Sequence, residues 1–179
     1  MGRLRRAWLD DPSGPIEDFL VTQIADYGQR HAIAVDHHTD RAYWPDATYE
    51  AIQSAHADGT ASRSTVVHDV SGPHGIAIDH SAGKVYWSDT IANTIERANL
   101  DGSNVEILVP EEVGLISPLG LCLDVAAGKM YWVDRGNSIK DGVGDRVMRA
   151  NMADGKDLED LVTEGHMEPR DIIVLPDEL

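Results

Sequence analysis

The sequence predicts an all-β fold, a β-propeller of four-stranded blades, and three observations predict it. Tyr-Trp-x-Asp occurs at Tyr43–Asp46, Tyr86–Asp89 and Tyr131–Asp134, at offsets of 43 and 45 residues. Self-similarity at a period of roughly 40–45 residues marks repeat architecture. Each motif closes a 16-residue stretch that aligns without gaps: HAIAVDHHTDRAYWPD from His31, HGIAIDHSAGKVYWSD from His74 and LGLCLDVAAGKMYWVD from Leu119. Behind each stands an Asp-Gly dipeptide, at Asp58-Gly59, Asp101-Gly102 and Asp154-Gly155. This is a hairpin signal, because type I′ turns need positive φ at both central positions.

The middle repeat shows the elements in order. A short apolar strand, Gly75 to Asp79, is followed by the turn HSAG and then by the Tyr-Trp strand, Lys84 to Asp89. A third strand, TIERANL, leads through Asp101-Gly102 into a fourth, NVEILV. Four strands per repeat of this length make a propeller blade. Alternation along a strand sends Tyr and Trp to opposite faces, so both can be large if each face is covered by a neighbouring blade. Asp46, Asp89 and Asp134 end the strand, where they can accept backbone N–H groups. Ala34, Ala77 and Cys122 share one position on the first strand. Small residues suit it because innermost strands crowd the axis, and Cys122 reads as a small buried hydrophobe. The motifs are thus expected to be scaffold.

The chain, residues 1–179, reads as a single propeller domain. Residues 1–28 form a partial blade, because RLRRAWLDDPSGPIEDFLV aligns with the third and fourth strands. Residues 29–71 and 72–116 are full blades, 117–167 is a blade with the loop insertion RGNSIKDGVGD, and 168–179, with RDIIVLPDEL, is a terminal strand.

The stretch GIAIDHSAGKVYWSDTIANTIERANLDGSNVEIL, its two relatives and EPRDIIV resemble the YWTD repeats of the low-density lipoprotein receptor class B family. The resemblance implies a propeller, usually of six YWTD-type blades, of which this chain supplies about three full ones plus partial terminal strands. It implies little about activity, since one fold hosts many functions. Receptors carrying such repeats pair them with cysteine-rich modules and bind extracellular proteins; those modules are not in this sequence. Open blades at either end leave unpaired edges; either the terminal strands pair into a fourth blade that lacks its Tyr-Trp strand or, the favoured remedy, a homodimer shares one ring.

Composition bounds the partners. Lys plus Arg is 15 and Asp plus Glu is 31, a formal charge of −16. Such a surface repels phosphate backbones and anionic headgroups, which argues against nucleic acid and membrane. A lone cysteine excludes an internal disulfide framework. The start MGRLRRAWLDD has no apolar signal region, and no apolar run approaches the roughly 20 residues of a membrane span. A cytoplasmic, soluble protein is the expectation.

For chemistry, the residues entering the first strands are His31, His74, Leu119 and Arg170, positions expected to rim the axial channel. Two imidazoles at one register position can serve as an acid/base pair. Arg170, Arg30, and Arg135 and Lys140 on the inserted loop, are candidates to bind a substrate's charge. His37, His38 and His80 fall in the turn at the other end of the first strand and read as exposed turn residues. No nucleophile elbow, phosphate loop or Cys-x-x-Cys pattern occurs. The Asp-rich turns lack EF-hand spacing. No metal set or cofactor is therefore assigned, with a divalent metal held open. Two functions stand: a small-molecule-binding propeller, with a non-covalent lyase, isomerase or hydrolase reaction by His31 and His74 left open, or a non-catalytic protein-interaction or ligand-binding scaffold.

Overall fold

A computed structural model describes residues 2–6, 17–22, 32–57, 63–136, 144–163 and 169–174, the first two stretches as backbone only. All regular elements among them are strands apart from one turn of 3-10 helix at Glu111–Val113. Strands β1 (Gly2–Arg6) and β2 (Glu17–Thr22) form an antiparallel pair. Three four-stranded antiparallel sheets follow. The first blade contains β3 (Ala34–Asp36), β4 (Arg41–Asp46), β5 (Ala51–His56) and β6 (Ser64–His68). The second contains β7 (Pro73–Asp79), β8 (Lys84–Asp89), β9 (Thr94–Asn99) and β10 (Glu106–Val109). The third contains β11 (Pro118–Asp124), β12 (Lys129–Asp134), β13 (Arg146–Asn151) and β14 (Glu159–Val162). The all-β architecture of three blades is thus present; the described sheets are not closed into a ring.

The cores lie between blades. One cluster gathers Tyr43, Ile52 and Val67 of the first blade with Ile76, Val85 and Trp87 of the second. The other gathers Tyr86, Ile95 and Val109 of the second with Met130, Trp132 and Met148 of the third. Tyrosine of one blade and tryptophan of the next therefore share a seam, as strand alternation requires. Trp44, Trp87 and Trp132 are completely buried.

Two of the motif aspartates, Asp89 and Asp134, fasten their blades' entries, and Asp46 caps the turn after its strand. Asp89 Oδ1 accepts from Gly72 N–H at 3.0 Å, Ile91 N–H at 2.9 Å and Ala92 N–H at 2.8 Å. Asp134 accepts from Ile116 and Ser117 N–H and pairs with Arg146. Asp46 accepts from Thr48 N–H at 3.2 Å. A buried carboxylate that accepts several backbone N–H groups satisfies them away from water and tightens the loop it caps.

Glycine sets how closely blades approach. Gly102, at φ 86°, lies so near Val66 that a Cβ would overlap the Val66 carbonyl oxygen, and Gly155, at φ 68°, lies equally close to Leu108. The Asp-Gly turn of one blade therefore docks on the outer strand of the blade before it. The turn predicted at Asp58-Gly59 lies outside the described residues.

Candidate functional site

Among the described residues, three places where blades meet carry polar chemistry. The first is the predicted rim. β7 and β11 each carry one extra residue against their partner strands, between Pro73 and Ile76 and between Pro118 and Leu121. These bulges contain His74-Gly75 and Leu119-Gly120, and bulges re-aim backbone groups. Gly75 N–H donates to Ser88 Oγ at 2.8 Å, and Ser88 O–H donates to the Leu119 carbonyl at 2.5 Å. One blade on, Val133 stands where Ser88 does, and Gly120 N–H donates directly to the Arg170 carbonyl at 3.1 Å. Positions 74, 119 and 170 thus follow one another from blade to blade, in the register the repeats imply. His74 is half-buried; Arg135 and Arg170 are exposed. Arg135 N–H donates to the Ser117 carbonyl at 3.0 Å. His31, Arg30 and Lys140 lie outside the described residues, as do residues 137–143 of the inserted loop. Residues 169–174 carry no assigned strand.

Cys122, read as a buried hydrophobe, is half-buried. Burial, and then the Asp171 carboxylate, push its thiol up to about 11, leaving it protonated and unreactive at neutral pH.

The second place is a cleft at the seam of the first and second blades. Tyr86 and Tyr131 stand opposite Arg97 and Arg149 on the third strands, whereas Tyr43 stands opposite Ser54. Arg97 donates to Glu106 of its own blade at 2.6 Å and crosses its seam to the Met152 carbonyl at 2.7 Å. Ser54 is too short to do this. Arg41 supplies a guanidinium from the neighbouring strand instead, bonding Ser54 at 2.6 Å and Ser64 at 3.0 Å. A cavity of about 380 Å³ remains, lined by Arg41, Tyr43, Ser54, Ser64, Leu100 and Asp101 among others. Burial pushes the Tyr43 phenol up, with Arg41 working against it.

The third place is a histidine cluster at the inner turns of the same two blades. Asp36 is 1% exposed. Its carboxylate caps its own turn, accepting from His38 N–H at 3.0 Å and Thr39 O–H at 2.6 Å. His80 reaches across from the second blade, Nδ1 to Asp36 Oδ1 at 2.9 Å, and His38 Nδ1 lies 3.8 Å from the same oxygen. The ring centroids of His38 and His37 lie 5.4 and 6.0 Å from that of His80. Burial pushes the Asp36 carboxyl up, but Thr39, His38 N–H and His80 outweigh it and hold it at about 2. Asp36, His38 and His80 bring their donor atoms within 4.8 Å of one another, a set suited to a ligand or metal. The three histidines are exposed, as the sequence suggests, but they are not isolated turn residues. The sequence groups them on one face but does not show that His38 and His80 converge on Asp36.

The fold and its motifs define a chain of repeated blades joined by Tyr/Trp seams. Residues 40–80 and 83–125 match the low-density lipoprotein receptor repeat class B family, so the chain carries a partial region of these YWTD-type repeats. Class B repeats are typically parts of extracellular receptor domains, which overturns the expectation of a cytoplasmic protein. That expectation rested on a lone cysteine and the absence of a signal region, and neither feature of this stretch of sequence determines where a repeat module resides. Among the described residues no helix is long and apolar enough to cross a membrane.

Among solved structures, a chain of a nidogen/laminin complex is 25% identical with a TM-score of 0.72, over 83% of this chain and 52% of that one. A gluconolactonase from Xanthomonas campestris is 19% identical with a TM-score of 0.62, over 78% of this chain and 49% of that one. A luciferin-regenerating enzyme is 16% identical with a TM-score of 0.64, over 83% and 51%. The latter two share the fold alone. The chain spans about half the length of these structures. No curated protein matches it.

Proposed function

We propose that this chain is a propeller module that binds a protein partner without catalysis. The observation that carries the reading is its likeness to a chain of the nidogen/laminin complex, at a TM-score of 0.72 and 25% identity. The class B repeats point the same way, and the net charge of −16 favours a basic partner surface. The test is interferometry with the chain immobilised and laminin fragments in solution. A saturable response that weakens as salt rises supports the reading; no saturable response at tens of micromolar overturns it. Ring closure belongs to the same proposal. Three blades and about half the length of the similar structures support a homodimer sharing one ring. Light scattering should then give twice the chain mass, and a monomer at micromolar concentration removes that part.

One observation favours a second reading, a small-molecule site at the rim with acid–base chemistry. The paired bulges carry positions 74, 119 and 170 from blade to blade. His31 and His74 would be the acid/base pair, with Arg30, Arg170, Arg135 and Lys140 holding substrate charge. Replacing His31 or His74 by Ala should cost 10²–10⁴-fold in rate, by the usual worth of such groups, while His37→Ala should not.

A further inference from the structure

The inner turns of the three blades differ in a way the scaffold does not require. After the turn-capping aspartate the chain reads Asp36-His37-His38-Thr39, then Asp79-His80-Ser81-Ala82, then Asp124-Val125-Ala126-Ala127. The capping role is common to all three. Asp79 Oδ1 accepts from Ser81 and Ala82 N–H, and Asp124 Oδ1 from Ala127 N–H. In the second blade the residue after the aspartate reaches back to the preceding blade. At the first seam it is His80, which meets Asp36. At the second seam the same position is Val125, whose side chain offers no donor atom. Of the two described seams only one therefore carries an imidazole-rich cluster, and folding does not call for it.

We propose that Asp36, His38 and His80 form a site for a late first-row divalent cation of zinc's class, clamping the inner turns of the first and second blades. Two imidazoles and one carboxylate match the three protein ligands of an open zinc site, which leaves the fourth position to water. Imidazole donors select zinc, cobalt, nickel or copper over calcium and magnesium, which take oxygen ligands.

The distances fit with small adjustments. Tetrahedral ligands at about 2.1 Å from a zinc ion stand about 3.4 Å apart. His80 Nδ1 and His38 Nδ1 are now 2.9 and 3.8 Å from Asp36 Oδ1. Those two separations must change by about half an ångström by this geometry, and the two imidazole donors, within 4.8 Å of each other, must close to the same spacing, which exposed rings on turns can do by rotating about their side-chain bonds. Asp36 is already held. His38 N–H and Thr39 O–H fix the carboxylate's orientation, as outer hydrogen bonds do in protein metal centres. His37 lies close enough to tune the site without belonging to the set.

Isothermal titration with zinc chloride, on the full chain stripped by chelator, tests this, with thermal unfolding alongside. The expected result is one zinc per chain, a raised melting temperature reversed by chelator, and no competition from magnesium or calcium. His38→Ala and His80→Ala should each weaken binding by at least about 100-fold, the effect of losing one of three ligands being at least that of losing an outer-shell partner. His56→Ala and His68→Ala should leave it unchanged. Asp36→Asn weakens the turn cap as well, so the histidine variants carry the test. No zinc uptake overturns the proposal. So does uptake that survives both histidine substitutions, which would leave an ordinary imidazole–carboxylate hydrogen bond.

Discussion

The two seams between the three blades are built from the same parts and finished differently. At the second–third seam Tyr86 and Trp132 pack with Met130, Met148 and Met152, and Arg97 spans the outer end to the Met152 carbonyl. At the first–second seam Tyr43 and Trp87 pack with Ile52, Val67, Val70, Ile76 and Val85. There the outer end is a cavity of about 380 Å³ beside Arg41, and the inner end is a histidine cluster. The difference teaches where to look for binding in a repeat protein. Positions kept from blade to blade carry the scaffold, and positions where one repeat departs from the others mark surfaces free to take other work. Ser54 in place of arginine is such a departure, and so is Val125 in place of histidine, which leaves the imidazole contact to the first–second seam.

The largest expected effect probes the two cores. Trp87→Ala and Trp132→Ala should each cost roughly 3–5 kcal/mol, the range for large aromatic truncations. The two should not cost the same. Methionines around Trp132 have flexible side chains that repack into a void, whereas the β-branched residues around Trp87 are stiff at χ1. Urea denaturation should therefore place Trp87→Ala nearer the upper end and Trp132→Ala nearer the lower. Equal losses would show that seam composition does not govern collapse, and an unchanged midpoint for either would mean that its tryptophan is not a seam residue.

Much of this scaffold is legible in the sequence. Trp87 and Tyr86 are consecutive, alternation sends them to opposite seams, and no other information is needed. Lys84–Asp89 reads as a strand and is one. Asp89 reads as an acceptor at a strand end and accepts three backbone N–H groups. The histidine cluster is not legible, because its contact depends on how adjacent blades rotate about the axis, and the repeat period does not encode that angle. His80 and Asp36 are 44 residues apart and lie at different register positions. The available clue was the pair Asp36-His37-His38 and Asp79-His80 recurring in one turn. The second departure, Ser54, was equally hidden, since only the cross-strand pairing of Tyr43 shows that an arginine stands there in the other blades.

A middle-sized effect tests how closely the blades approach at each seam. Gly102→Ala and Gly155→Ala combine a left-handed backbone with a Cβ that overlaps a carbonyl on the preceding blade. Backbone strain of about 1–2 kcal/mol plus forced displacement of the neighbouring strand should total about 3 kcal/mol. Gly83→Ala and Gly128→Ala have similar positive φ with open space around them, and should show the strain alone, about 1–2 kcal/mol. Thermal unfolding of the four variants separates the two contributions. If all four fall together, docking of the Asp-Gly turns adds nothing, and the seams are held by their cores.

The smallest effect converts one seam toward the other. Arg97→Ser gives the second–third seam the residue that the first–second seam has. It removes the bond to the Met152 carbonyl along with a partly exposed pairing to Glu106. Exposed ion pairs contribute little, so most of the loss, about 1–2 kcal/mol, comes from the carbonyl bond to a charged donor. Arg41→Ala at the other seam leaves only hydroxyls, Ser54 and Ser64, in a cleft already open to water, and should cost less than about 1 kcal/mol. The reciprocal double change, Ser54→Arg with Arg41→Ala, moves the guanidinium to the strand where Arg97 and Arg149 carry it. It should recover stability relative to Arg41→Ala alone, because the arginine then reaches across the seam toward the second blade. Chemical denaturation of the single and double variants reads the difference directly. If the double variant is no more stable than Arg41→Ala, the serine at position 54 is not what keeps the cleft open.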